Sequence, residues 1–152
     1  MVRNAAGKAR HARLPRGASG IVIGADTLLW FRGCAIGKPR TMRQALQWLR
    51  ALQGNSHWVY TGLCLMDPQT HRCRTASTRS RVTFRPVGDA ALTRLLARMR
   101  PLDKAGGYAA QGAGGQLIAR IQGSRTNVIG LPLECLRREL AAFERRRRRN
   151  RY

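Results

Sequence analysis

Apolar positions along the chain alternate between short strand-like runs and stripes at helical spacing, a pattern that predicts an α/β domain. Residues 21–31, IVIGADTLLWF, read as a strand interrupted at 24–27, so that Asp26 and Thr27 sit where an apolar run ends. Thr41 and Gln44 have capping-box spacing and open a helix to about Gln53, with Met42, Ala45, Leu46, Leu49 and Leu52 as its stripe. Residues 56–66 read as a strand, 67–70 as a turn and 72–85 as the partner strand, with Val82 and Phe84 on one face and Arg81, Thr83 and Arg85 on the other. Asp89 is placed to cap a helix carrying Leu92, Leu95, Leu96 and Met99, ended by Pro101. Residues 116–122 predict a strand with Leu117, Ala119 and Ile121 alternating, and 123–130 a loop. Pro132 then opens a last helix with Leu133, Leu136, Leu140 and Phe143 inward.

Composition sharpens this picture in one respect. A length of 152 residues at 43% hydrophobic content fits one folded domain. Three parts are expected: a basic arm or helix at 1–19, a folded domain at 20–144 and an arginine-rich tail at 145–152. The formal net charge is +22. Eleven of the 29 basic residues lie in 1–16 and 145–152, leaving 18 bases against all seven acids, so the domain body is itself basic. Such a field attracts nucleic acid or nucleotide phosphates. Lysine is scarce: of those 29 bases only Lys8, Lys38 and Lys104 are not arginine. A compact ammonium binds phosphate differently from a guanidinium, which makes these three the first cations to test.

The four cysteines, Cys34, Cys64, Cys73 and Cys135, have no CxxC spacing, so neither a zinc ribbon nor a redox motif is indicated, and free thiols in a reducing cytoplasm are expected. No apolar run is long enough to span a bilayer, and no secretory signal core precedes the first strand.

Candidate chemistry follows by elimination among the seven acids. Asp67 lies in a turn, Asp89 at a helix start, and Glu134, Glu139 and Glu144 among the arginines of the last helix, where intrahelical pairing accounts for them. Asp26 and Asp103 remain, both in glycine-rich surroundings. Residues 102–115, LDKAGGYAAQGAGG, are either a flexible loop or a backbone cradle for phosphate with Lys104 beside it. The spacing is not that of a Walker A loop. Tyr108 and Gln111 are placed to meet a base, with packing the plainer role for Tyr108. No Ser-His-Asp or Cys-His order is evident, and His57 reads as structural. A carboxylate, several cations and no covalent nucleophile suit phosphoanhydride hydrolysis assisted by a divalent metal.

Five stretches together resemble the Maf family of nucleotide pyrophosphatases: GADT at 24–27, GKP at 37–39, VTFRP at 82–86, DKAGGYAAQG at 103–112 and NVIGLPL at 127–133. The resemblance runs from about Lys8 to Phe143. It implies a mixed sheet with flanking helices in a two-lobed fold akin to inosine triphosphatases, and cleavage of nucleoside triphosphates to monophosphate and pyrophosphate with Mg²⁺ or Mn²⁺. By the same resemblance Asp26 is the catalytic acid–base residue and a metal ligand, while Lys8, Lys38, Asp103 and Lys104 contact substrate. Thr27 and Gln111 match the branch acting on dTTP and UTP, and a homodimer is the usual assembly. Family members carry a Ser-x-x-Arg-Arg loop upstream of the lysine matched by Lys8. Here residue 1 falls just ahead of Lys8, so an N-terminally truncated version of the fold is expected, by a misassigned start or a true truncation. The alternative reading is a catalytically impaired remnant that binds nucleic acid through its arginine-rich surface.

Overall fold

The computed structural model describes residues 1–149; the end of the expected tail, 150–152, lies outside them. Five strands form one sheet in the order β2-β1-β3-β4-β5: β1 (Val22–Phe31), β2 (Cys34–Ile36), β3 (Ser56–Met66), β4 (Cys73–Phe84) and β5 (Ile118–Gln122). The α/β class with flanking helices is as expected. Every pairing is antiparallel rather than mixed. The turns after Phe31 and Met66 are too short for the crossover that parallel neighbours need.

The first strand is unbroken. Gly24, Ala25, Asp26 and Thr27 pair with Cys64, Leu63, Gly62 and Thr61 of β3, which places Asp26 in mid-strand and not at a strand end. The glycines that read as an interruption are instead the seat of a helix. Helix α1 (Val2–Arg10) buries Ala5, Ala6 and Ala9 against Cys64 and Met66. A Cβ on Gly62 would come within 2.7 Å of the Val2 nitrogen, and one on Gly24 would fall on the Ala5 carbonyl oxygen. Small residues on both elements let helix and strand backbones approach closely. Residues 2–10 are thus a docked helix.

The opposite sheet face holds the main core. Leu29, Phe31, Val59, Val82 and Phe84 meet Ala45, Leu49 and Leu52 of α2 (Met42–Leu52) and Leu92 and Leu96 of α3 (Asp89–Ala97). Further along the same face, Leu63 and Leu65 meet Cys135, Leu136 and Phe143 of α5 (Leu133–Arg149). Between β5 and α5, residues expected as loop form a short helix, α4 (Arg125–Ile129), because Ser124 Oγ accepts from the Asn127 N–H at 3.1 Å as an N-cap. No helix among the described residues is long and apolar enough to cross a membrane.

Several local expectations are corrected. Thr41 caps α2 by accepting from the Gln44 N–H, but Gln44 Oε1 accepts from the Arg40 N–H, not from that of Thr41. Met42 and Leu133 lie outside their stripes, at 45% and 40% exposure. Gly88, not Asp89, is the N-cap of α3; Asp89 sits in the first turn and pairs with Arg50 at 2.8 Å. Leu117 ends a 3₁₀ segment, and a register shift puts Ala119 opposite no residue of β4, so Ile118 and Ile121 pack inward together. Glu139 is buried and pairs across elements with Arg74 at 2.6 Å as well as with its neighbour Arg138. Arg147, expected in a solvated tail, lies 2.7 Å from Asp67.

Candidate active site

Asp26 faces α1, and α1 supplies its partners. Lys8 Nζ donates to Asp26 Oδ1 at 2.7 Å and to the Ala25 carbonyl at 3.0 Å. Asn4 Nδ2 donates to Asp26 Oδ2 at 3.0 Å. Asn4 and Lys8 stand four residues apart, on one face of the helix. Asp26 is 18% exposed and Lys8 58%, so the carboxylate is shielded while the ammonium opens to solvent. Lys8 has three N–H donors and uses two here, which leaves one for an anion. Each Asp26 oxygen keeps a lone pair for a water proton or a cation. The sequence did not single out Asn4; only its spacing from Lys8 could have pointed to it.

Thr27 points to the other face of the sheet, as strand alternation requires. Its hydroxyl accepts or donates a 2.8 Å hydrogen bond with Thr61, and the Gly130 carbonyl lies 3.5 Å away as an alternative acceptor for its proton. The Asn127 carbonyl lies 3.4 Å from the Thr61 hydroxyl, so whichever threonine does not donate to the other has a carbonyl to donate to. Asn127 Nδ2 donates to Val59 O and Ser80 Oγ, both at 3.0 Å. The 127–133 stretch therefore closes a buried polar web beneath Thr27.

Lys38 and Lys104 lie on two segments that are tied together. The Gly106 N–H donates to the Gly37 carbonyl at 2.8 Å, and Pro39 packs beside Gly107. Among the described residues the side chains of Lys38, Asp103, Lys104 and Gln111 are exposed and make no hydrogen bond or ion pair. Tyr108 is buried, its hydroxyl 2.6 Å from His57 Nε2, so it packs and does not face a ligand. The structure thus joins Lys8 to Asp26, joins the Lys38 and Lys104 segments, and turns Thr27 away from Asp26.

A family profile described as Maf-like protein matches residues 1–143. A dTTP/UTP pyrophosphatase of Clostridium kluyveri is 42% identical over 118 residues, covering 78% of this chain and 62% of that protein. One of Gloeobacter violaceus is 40% identical over 146 residues, covering 96% of this chain and 75% of that protein. One of Pelotomaculum thermopropionicum is 40% identical over 123 residues, 81% of this chain and 64% of that protein. The chain spans less than two thirds of the length of the first and last of these relatives. With its GADT segment carrying an aspartate bound to an upstream lysine, the chain belongs to the family of Maf-like proteins.

Proposed function

We propose that the chain hydrolyses dTTP and UTP to the monophosphate and pyrophosphate, with Asp26 as the acid–base residue. The observation that carries this reading is the Asp26 carboxylate, held on one oxygen by Lys8 and on the other by Asn4. The names of relatives about 40% identical to this chain support the choice of nucleotides. In the step proposed, water attacks phosphorus and gives a proton to Asp26. The attack is on the α-phosphorus: its bond to the α–β bridging oxygen breaks, and the electron pair of that bond leaves on the pyrophosphate. The third N–H of Lys8, with Lys38 and Lys104, holds the phosphate oxygens. Asp103 completes the rim beside Lys104, Gln111 contacts the base, and Thr27 shapes the base site through its bonds to Thr61 and Gly130.

The donor set suits Mg²⁺ or Mn²⁺ bound mainly through substrate. Asp26 offers one carboxylate, and no cluster of three His, Cys, Asp or Glu is placed to hold a metal among the described residues. A hard divalent ion commonly takes one or two carboxylates and completes its shell with phosphate oxygens and water. When bound it neutralises charge on the triphosphate. A cytoplasmic location is supported by four free cysteines, two of them exposed.

Pyrophosphate release from dTTP and UTP with either metal tests the proposal. Asp26→Asn is expected to lower kcat by about 100-fold or more with little change in KM. An unaltered chain that releases no pyrophosphate refutes the activity; an Asp26→Asn variant at full rate refutes the assigned role.

A further inference from the structure

Beyond Asp26, the sheet face that carries it continues past the end of α1. Paired residues share a face, so the cross-strand rows are read directly from the register. Leu28, Tyr60 and Arg79 form the first row after Asp26 and Gly62. Trp30, Trp58, Arg81 and Gln122 form the next, and Ser56, Thr83 and Arg120 the one after. Helices α2, α3 and α5 pack on the opposite side. Trp30 is left 41% exposed, Trp58 and Tyr60 are half-buried, and Arg79, Arg81 and Arg120 are exposed.

Two features define what this face can bind. The aromatic rings already accept cations and neighbours: the Arg79 guanidinium lies 5.0 Å from the Trp58 ring centroid, and the Trp58 and Tyr60 rings are 6.4 Å apart. Asp26 is the one acid in the five strands, and Lys8 neutralises it. A surface with stacking rings, guanidinium groups beside them and no free carboxylate matches single-stranded nucleic acid, whose bases stack and whose phosphates take the arginines. A second copy fits poorly, because a twofold contact would set these arginines against one another. A lone nucleotide base would cover one row and leave Arg81 and Arg120 without a phosphate.

We propose that the face formed by Trp30, Trp58, Tyr60, Arg79, Arg81 and Arg120 binds single-stranded nucleic acid, with bases on the tryptophans and phosphates on the arginines. This is separate from the pyrophosphatase reading, since the ligand is a polymer and no bond is cleaved. Fluorescein-labelled 15-mers of deoxythymidylate and of uridylate, titrated with the full chain, test it. Binding should weaken steeply with salt, quench tryptophan emission, and be at least tenfold tighter than to a duplex of equal length. Trp58→Ala and Trp30→Ala should each weaken it about 5- to 100-fold, while Trp58→Phe retains most of it and Arg81→Gln lowers the salt dependence. Both oligomers binding alike assigns the site to single strands in general; a tenfold preference for one assigns it to DNA or to RNA. Unchanged affinity in both alanine variants, equal binding to duplex, or a dimer that Trp30→Ala dissolves would each overturn the proposal.

Discussion

His57 packs edge-on against Phe84 and Tyr108, with ring centroids 5.0 and 5.5 Å away. Its Nε2 meets the Tyr108 hydroxyl, and its Nδ1 has no partner. Protonation would put a charge and a second N–H into a pocket that serves one nitrogen, so burial lowers the histidine from its ordinary 6.5 to about 4. The unfolded chain then binds a proton that the folded one refuses. Stability is fully present above the ordinary value and is lost as pH falls from about 6.5 towards 4. The shift corresponds to about 3 kcal/mol over the whole window, of which about 2 kcal/mol falls between pH 7 and pH 5. Denaturant unfolding at those two pH values measures it, and His57→Gln should flatten the difference. Asp67, held below the usual carboxylate range by the backbone N–H groups of Gln69 and Thr70 and then by Arg147, and Glu139, held there by Arg138 and Arg74, lose their stabilisation only at lower pH. The two effects therefore separate. A wild-type chain equally stable at pH 7 and pH 5 would contradict the buried neutral ring.

At the scale of elements, the site depends on how α1 sits on β1 and β3. Gly24→Ala and Gly62→Ala would drive a methyl group into the α1 backbone. Each should cost about 1–3 kcal/mol through overpacking and displace Lys8 and Asn4 from Asp26. Melting curves read the first effect, and pyrophosphate release reads the second. Gly7→Ala is the control, because a Cβ there meets nothing within 4 Å and the substitution removes a helix-interior glycine. It should hold or raise the melting temperature while Gly24→Ala lowers it; equal behaviour would refute the seating of α1. The same contact explains what the sequence could and could not convey. Strand β3, helix α2, the β3–β4 turn and the inward Val82 and Phe84 follow from local period and turn residues, and they stand as read. Glycine in a strand signals either a break or a close approach, and only the docking of α1 chooses between them. Asn4 was invisible for that reason: its partner lies 22 residues away and is reached only once α1 is in place. Helix α4 was missed because five residues are too few for a period to emerge. The α5 stripe stands at Leu136, Leu140 and Phe143, with Leu133 alone exposed; what apolar patterning could not show is that Glu139, paired with Arg74 and Arg138, is buried as well.

For the whole molecule, the distribution of charge matters more than its total. Of the seven acids, Asp26, Asp67, Asp89 and Glu139 are held in ion pairs, and Glu134 accepts hydrogen bonds from Ser124 and Thr126. With all seven acids already counted against 29 bases the formal net charge is still +22, so the long-range field is positive over most of the surface. On the proposed pyrophosphatase reading, an approaching triphosphate would feel that field before meeting Lys8, Lys38 or Lys104. Diffusional encounter should therefore be steered at low ionic strength and screened once the Debye length shrinks to about 10 Å near 0.1 M salt. The chemistry proposed for Asp26 would take place at contact distance and be screened far less. Raising potassium chloride from about 20 to 300 mM should accordingly lower kcat/KM for dTTP several-fold while kcat changes little. The sign and the split between the two constants are what distinguish steering from a structural effect of salt, which would move kcat and the melting temperature together. A kcat/KM that stays flat across this range would mean that the arginine excess does not act on the nucleotide at all. Its role would then be confined to larger polyanions, whose repeated phosphates can engage many guanidinium groups at once.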